Sequence, residues 1–404
     1  MKVSVRRISE QLREIHETRL HANLDCRDTN QQRLIRFVCT SAATLIAVTL
    51  VGVALIVLQV VARIGEHRGF ICDIAVDPET DQVVTIDLFS HVCVWDSSAV
   101  TLIRSGDAHG FSPNCVHALP NGGGLLLGGI DATSGGADAG LAWFDVAAET
   151  DGLSRRWTER FGRNAAIRKI AATPDGQLIA LGTVEYGPRT CRVILYDVAE
   201  QTVVREIQPA AGMAVTALEF SPSAKRLAYA TGDIGNLSAP GLLVIESLDS
   251  PGDRRSLSTP RAAVTSVQFK HDETELLTAD DAGYVSTFDT ATASELRFWD
   301  VDSHSVEQIA LVGSERYLLV AGTKSQSLKS AARPASISDF SSRGMIQIWH
   351  LKTNELLDEK ILPHGVLAGI AVIDDGQRVA AVSYLDRYIM IFDFSNVILP
   401  STSR

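Results

Sequence analysis

The chain has few cysteines, few aromatic residues and no excess of positive charge. Six cysteines in 404 residues are too sparse for a disulfide-stabilised mini-scaffold. A formal net charge of −11 disfavours a general nucleic-acid-binding protein. Aromatic residues make up only 6% of the chain, but 46% of its residues are hydrophobic, so a large core can form and a disordered chain is excluded.

The sequence also lacks the usual catalytic and cofactor motifs. It has no G-x-G-x-x-G opening a helix, no phosphate-binding Gly-Lys-Ser/Thr loop, no C-x-x-C, no H-E-x-x-H and no nucleophile elbow. His91-Val92-Cys93 and Cys115-Val116-His117 each place a His and a Cys on one strand face, where zinc or copper is an alternative to burial in the core. Burial is favoured, so we predict a protein that is not an enzyme and that has no catalytic residue, cofactor or metal.

One long uncharged run lies near the N-terminus. Phe37 to Ala62 is 26 residues without a charge. About 20 are needed to cross a bilayer core, and at about 1.5 Å per residue this run reaches about 39 Å. A cleaved signal peptide is disfavoured by the 36 preceding residues and by the length of the run, and a buried core helix by the missing polar stripe. The run therefore predicts a single transmembrane helix.

The basic residues beside this run predict its orientation. The N-terminal side carries Arg19, Arg27, Arg33 and Arg36, whereas Arg63 and Arg68 alone lie close on the other side. Because Lys and Arg are enriched on the cytoplasmic side, we expect a cytoplasmic N-terminus and a periplasmic or otherwise exoplasmic C-terminal region. The reverse topology, with a cytosolic C-terminal region, stays an alternative.

Three segments follow from this reading. Residues 1–36 form a cytoplasmic amphipathic segment with Ile8, Leu12 and Ile15 at helical spacing. Residues 37–62 form the transmembrane helix. Residues 63–404 hold 29 basic and 43 acidic residues, a formal charge of −14. This last segment contains four cysteines, Cys72, Cys93, Cys115 and Cys191, and a disulfide between two of them stays an alternative to free thiols.

Residues 63–404 contain an internal repeat with a period of about 40–50 residues. A short turn cluster between two apolar alternating runs recurs seven times, at Asp77–Glu79, Pro120–Gly122, Pro174–Gly176, Pro222–Ser223, His271–Glu273, Gly313–Glu315 and Asp374–Gly376. A third run ends in an aromatic residue followed by Asp, as in Trp95-Asp96, Phe144-Asp145, Tyr196-Asp197 and Phe392-Asp393. In the fifth repeat we assign Tyr284–Asp289 to the third strand and Glu295–Asp300 to the fourth.

These motifs resemble the WD40 repeat family of β-propellers. The resemblance rests on Val94-Trp95-Asp96, Arg297–Asp300 and the turns Thr173–Gly176 and Phe220–Pro222, and it spans about residues 70–404. It implies an all-β, seven-bladed β-propeller after the transmembrane helix, and the family's hydrogen-bond network of Asp, His, Ser/Thr and Trp. The Gly-His dipeptide of the family is mostly missing here, so a generic seven-bladed propeller without that network is the alternative. We expect the segment near Arg63–Gly69 to close the ring as the outer strand of the last blade.

The connections between second and third strands are uneven in length, and in a propeller they emerge on one face. The longest, Thr323–Arg343, is rich in Ser, and we predict that it binds a partner through Lys324, Lys329, Arg333 and Arg343. The favoured function is a non-catalytic, membrane-anchored scaffold for other proteins, as a subunit or assembly factor of a membrane complex. The alternative is a propeller that binds a small molecule, cofactor or metal in its central channel.

Overall fold

The computed structural model describes residues 67–398 except 78, 99–100, 121–123, 134, 146–152, 188–189, 211, 251, 258–260, 326–341, 363–364 and 385–388. The chain divides into two compact units, Met1–Gln59 and Val60–Arg404, and all described residues belong to the second. No helix among them is long and apolar enough to cross a membrane. The predicted span Phe37–Ala62 and the segment 1–36 lie outside the described residues.

The described residues form an all-β fold of several antiparallel sheets, which confirms the predicted class. The strands follow one another in groups, each an antiparallel meander. Group 1 comprises β1 (Ile71–Val76), β2 (Val83–Asp87), β3 (His91–Asp96) and β4 (Thr101–Asp107). Group 2 comprises β5 (Phe111–Ala118), β6 (Leu125–Asp131), β7 (Asp138–Asp145) and β8 (Ser154–Arg163). Group 3 comprises β9 (Ala165–Ala172), β10 (Leu178–Glu185), β11 (Val193–Asp197) and β12 (Thr202–Ile207).

The remaining strands repeat the pattern. Group 4 comprises β13 (Ala214–Phe220), β14 (Arg226–Gly232), β15 (Leu242–Ser247) and β16 (Arg254–Leu257), and a single residue pair, Val184 and Ala214, joins it to group 3. Group 5 comprises β17 (Val264–Phe269), β18 (Glu275–Asp280), β19 (Tyr284–Asp289) and β20 (Glu295–Asp300). Group 6 comprises β21 (Ser305–Val312), β22 (Tyr317–Ser325), β23 (Ser342–His350) and β24 (Glu355–Ile361). Group 7 comprises β25 (Leu367–Ile373), the 3₁₀ turn Asp374–Gly376, β26 (Arg378–Ser383) and β27 (Ile389–Asp393).

Aspartate side chains explain why the strands end where they do. The carboxylate accepts the N–H two residues further on, a local bond that favours a turn over a continued strand. At the aromatic–Asp endings of third strands, Asp96 and Asp393 do this at 2.8 Å, and Asp289 at 3.0 Å. The assignment of the third and fourth strands of group 5 is confirmed, because β19 and β20 have the predicted bounds and pair with each other.

The hydrophobic core lies between consecutive groups. The second strands of the groups are buried on both faces, whereas the fourth strands are largely exposed. Six clusters of buried side chains join group 1 to group 2, group 2 to group 3 and so on along the chain. The seventh cluster joins the last group to the first, where Ala380 and Ile389 pack with Trp95 and Ile71. Group 7 thus buries its apolar faces against both group 6 and group 1.

The expected outer strand near Arg63–Gly69 is wrong for the residues of that range that are described. His67, Arg68 and Gly69 form no strand; they bind the buried carboxylate of Asp87 in group 1. The backbone N–H groups of Arg68 and Gly69 donate to Oδ2 of Asp87 at 2.9 and 3.1 Å, which holds the segment against β2. A carboxylate acceptor satisfies these N–H groups without a neighbouring strand.

The same carboxylate starts a four-residue network. Nδ1 of His67 lies 3.3 Å from Asp87 Oδ2, Nε2 of His67 lies 2.6 Å from the Thr85 hydroxyl, and the indole N–H of Trp95 donates to that hydroxyl at 2.8 Å. One tautomer satisfies every group: Nδ1–H donates to Asp87, and Thr85 O–H donates to Nε2. These are the residue types that the WD40 resemblance implies, although Glu66 stands where the family has Gly.

Candidate functional site

The predicted partner-binding residues lie at and within the longest insertion. Lys324 is in β22, and its ammonium group binds Glu359 at 2.9 Å and Asp302 at 3.3 Å. Burial lowers the pKa of Lys324, but the bonds to Glu359 and Asp302 outweigh that effect and raise it. Arg343 faces Lys324 across the β22–β23 register and is exposed. Lys329 and Arg333 lie outside the described residues, so the structure places two of the four cations at the base of the insertion.

The histidines and cysteines weighed as metal ligands have separate surroundings. His91 Nδ1 lies 2.7 Å from Asp107, and the Cys115 thiol donates to the Gly128 carbonyl. Burial raises the pKa of Cys115 and lowers that of His117 to about 4. In the part of the chain that the structure describes, no three His, Cys, Asp or Glu side chains are arranged to hold a metal ion. Cys72, Cys115 and Cys191 are free thiols.

A feature that the sequence analysis missed is a bulge at one position in every first strand. Each first strand carries one extra residue relative to its second strand, five or six residues before the turn begins. The extra residues are Cys72, Asn114, Arg168, Thr216, Thr265, Glu307 and Ala368. A bulge redirects side chains and often lies beside a functional site.

The bulged residues connect neighbouring first strands. The side chains of Cys72, Asn114, Thr216 and Thr265 donate to the carbonyl that precedes the bulge in the next group, at 3.4, 3.0, 2.5 and 2.5 Å. One residue further along, Asp73, Ser266 and Gln308 accept an N–H of the next first strand at 2.9, 3.2 and 3.1 Å. In groups 2, 3, 5, 6 and 7, these side chains satisfy backbone groups on the edge of the first strand that the second strand leaves unpaired.

Equivalent residues of linked first strands therefore lie side by side, so these strands run in the same direction. The ends of the groups then define two faces. We call the end with the turns between first and second strands, and between third and fourth, the turn face. We call the end with the second-to-third connections and the links between groups the connection face.

Group 3 departs from this pattern because its bulge is cationic. Arg168 and its neighbour Lys169 are exposed. Lys169 attracts the carboxylates of Asp73 and Glu307, on the first strands of groups 1 and 6. Burial raises the pKa of Asp73 to about 6 and also raises that of Glu307.

Two cavities of about 510 and 400 Å³ lie at the turn face, and both are lined by Pro222, Gln268 and Phe269. Glu219 lines the smaller one and accepts bonds from Gln268 Nε2 at 2.7 Å and from the Phe269 N–H at 2.8 Å. Burial raises the pKa of Glu219 to about 8 in spite of these bonds, and His117 in the same cavity stays neutral. Apolar walls with a few polar groups suit the binding of a small molecule.

No protein-family model matches the chain, and no curated protein matches it. The function has to be inferred from the residues themselves. The signal that could have revealed the charged first strand is the pair Arg168-Lys169 within the apolar stretch Ala165–Ala172, because adjacent charges interrupt a buried strand only where one edge faces solvent.

Proposed function

We propose that the seven strand groups form a seven-bladed β-propeller of WD40 type, with the first strands around a central channel. The packing of each group on the next, and of group 7 on group 1, supports a closed ring. The side-by-side first strands support a common inner wall. The network of His67, Asp87, Thr85 and Trp95 supports the WD40 type.

The chain crosses a membrane once through Phe37–Ala62, with residues 1–36 in the cytoplasm and the propeller on the exoplasmic side. The support is the uncharged run and the excess of arginine before it. Protease added to intact cells or spheroplasts is expected to digest the region beyond residue 70, which immunoblotting detects. Digestion of residues 1–36 with protection of the propeller would show the reverse topology.

The propeller acts as a non-catalytic scaffold for other proteins of a membrane complex. The observation that carries this proposal is the uneven set of second-to-third connections on one face, above all the insertion that leaves the sheet between Ser325 and Ser342. Cross-linking with mass spectrometry in native membranes is the test. Cross-links from the insertion to one recurring protein support the scaffold, and a propeller without protein cross-links contradicts it.

The insertion is expected to contribute to partner binding and not to folding. Ser325 and Ser342 are paired neighbours, so an Asn-Gly hairpin turn can replace residues 326–341 without moving either strand. Loop-closure entropy changes by only about 0.6 kcal/mol per doubling of loop length, so thermal stability should stay within a few degrees. Co-purifying proteins should be lost. A collapsed fold would make the segment structural, and an unchanged partner set would place the interaction elsewhere.

A second candidate function is the binding of an anionic small molecule in the channel. Arg168 and Lys169 favour it, because their side chains are exposed on the inner strand of group 3. Succinate or phosphate should raise the melting temperature of the full-length protein in detergent, and the Arg168→Gln/Lys169→Gln variant should lose that response. Lys225→Gln, at an exposed lysine of the turn face, is the matched control and should keep it. Equal responses in all three proteins contradict a channel site.

A further inference from the structure

The exposed apolar side chains are distributed unequally between the two faces. Five large hydrophobic residues of the described chain are exposed and lie outside the strands. All five belong to the connection face: Phe70 (49%), Leu88 (46%), Phe89 (68%), Tyr186 (50%) and Ile234 (38%). The other exposed large hydrophobics are on fourth strands, and the described connections of the turn face have none. Exposed apolar residues gathered on one face mark an interaction surface.

Exposed charged residues outside the strands, in contrast, are concentrated on the turn face. The described connections of the turn face expose three cations, Lys225, Arg316 and Lys352, against acids at Glu79, Asp81, Asp175, Glu200, Asp249, Asp253, Asp272, Asp374 and Asp375. The turn face also exposes His271. The described connections of the connection face expose Arg68 and Asp302, together with His109 and His304. An anionic surface therefore repels the turn face strongly and the connection face little.

Phe70, Leu88 and Phe89 form an apolar patch on the connection face, and the side chain of Phe89 is fixed in place within it. A Cβ on Gly69 would lie 2.3 Å from Cδ2 of Phe89, so the ring of Phe89 rests on the backbone of Gly69 while most of it stays exposed. The N–H of Phe89 donates to Asp87 at 2.9 Å, and the N–H of Leu88 donates to the Phe70 carbonyl at 3.0 Å. The patch is presented on a rigid turn, which lowers the entropy lost on binding.

The position of the patch in the chain indicates what covers it. Five residue steps separate Ala62, the end of the uncharged run, from His67, and they span at most about 18 Å. Phe70 follows three residues later, and its carbonyl is bonded to the Leu88–Phe89 turn. If the proposed anchor holds, the patch cannot leave the neighbourhood of the bilayer surface.

We propose that the connection face rests on the bilayer, with Phe70, Leu88, Phe89, Tyr186 and Ile234 in the lipid interface and the acidic turn face directed away. This proposal rests on the proposed membrane anchor. Aromatic and apolar side chains are stable at the headgroup boundary, where about 5–10 Å of burial is typical. The turn-face cavities at Gln268 and Phe269 then open to the aqueous side.

The test reconstitutes the full-length protein in vesicles of phosphatidylcholine and phosphatidylglycerol with brominated acyl chains. The tryptophan fluorescence that Phe89→Trp adds to the wild-type emission should be about half of its value in the same lipids without bromine. Bromine quenches an indole buried at the acyl boundary. Glu79→Trp, on the turn face of the same group, is the matched control and should keep its added emission. Both positions are exposed, so either variant should fold.

Quenching of neither variant, or of both equally, overturns the proposal. Carbonate extraction of the same vesicles separates this outcome from failure of the anchor: a protein that resists extraction but shows no selective quenching overturns the lipid-facing surface alone. An extracted protein with Phe89→Trp still quenched overturns the anchor alone. A photo-crosslinker at position 89 that gives a protein adduct and no lipid adduct in native membranes shows a protein partner on this surface and also overturns the proposal.

Discussion

Replacing Asp87 by alanine is expected to destabilise the folded protein by at least about 3 kcal/mol, because a buried acceptor with several donors is lost. Asp87 is 0% exposed. Besides His67 and the N–H groups of Arg68 and Gly69, it accepts the N–H groups of Phe89 and His91, each at 2.9 Å. Thermal or denaturant unfolding of the full-length protein in detergent measures the effect. The single carboxylate fixes the entry to β1 and the turn between β2 and β3.

The effect of Asp87→Ala should depend on pH in a defined direction. Burial raises the pKa of Asp87, but the hydrogen bonds from His67, His91 and Gly69 outweigh burial and hold it well below its ordinary value. The stability that the carboxylate contributes is therefore complete above about pH 4, the pKa of an unfolded aspartate, and is lost as the pH falls further. The difference between wild type and variant should shrink below pH 4.

Asp249→Ala serves as the control for this experiment, because Asp249 is exposed in a turn-face connection. Its effect should stay within about 0.5 kcal/mol, as is usual for surface positions. Equal effects of the two substitutions would show that the Asp87 network contributes little to the fold.

The strand groups could be predicted from local sequence because their causes are local. Alternating apolar residues form strands, and an Asp two residues before a backbone N–H forms the turn, as at Asp96 and Asp393. The bounds of β19 and β20 follow from the same signals. The residues of the His67 network could not be assigned from the sequence, because its partners lie 18 and 20 residues away and the family's Gly-His dipeptide is replaced by Glu66-His67.

The site was harder to predict, since it depends on which strands become neighbours. β9 begins at Ala165 and includes Arg168 and Lys169, two adjacent charges that an alternating apolar pattern does not predict in a first strand. Lys324 was assigned to partner binding, but the register of β22, β23 and β24 brings it to Glu359, 35 residues away. Residue type alone cannot reveal such pairing, because the register is fixed by the packing of whole strands.

The effect of Glu219→Gln on the free energy of unfolding is expected to change sign with pH. In wild type the pKa of Glu219 is raised by burial from about 4.5 to about 8. Between these values the unfolded chain releases the proton and the folded chain keeps it, so the stability of wild type falls as the pH rises. Glutamine has no proton to lose. Its stability relative to wild type should therefore rise by about 2–4 kcal/mol between pH 4.5 and 8, allowing for water in the cavity beside the carboxyl group.

At low pH the same substitution should be slightly destabilising. The amide of glutamine offers one acceptor oxygen, so either the N–H of Phe269 or the amide of Gln268 loses its partner, at a cost of about 1 kcal/mol. Denaturant unfolding at pH 5, 7 and 8.5 measures the crossover. A difference between variant and wild type that stays constant over this range would show that Glu219 is ionised in the folded protein.

Glu273→Gln is the matched control, because the environment of Glu273 shifts its pKa in the opposite direction. Burial raises the pKa of Glu273, but bonds from Arg226 and Ser223 outweigh burial and lower it to about 2. Its carboxylate therefore contributes stability above about pH 4.5 that is lost as the pH falls toward 2. Glu273→Gln should destabilise the protein at pH 5–8.5 by an amount that hardly changes with pH. The two glutamates lie in neighbouring groups of the turn face. If only the effect of Glu219→Gln depends on pH, the titrating proton belongs to the carboxyl group in the cavity and not to the acidic residues of the turn face in general.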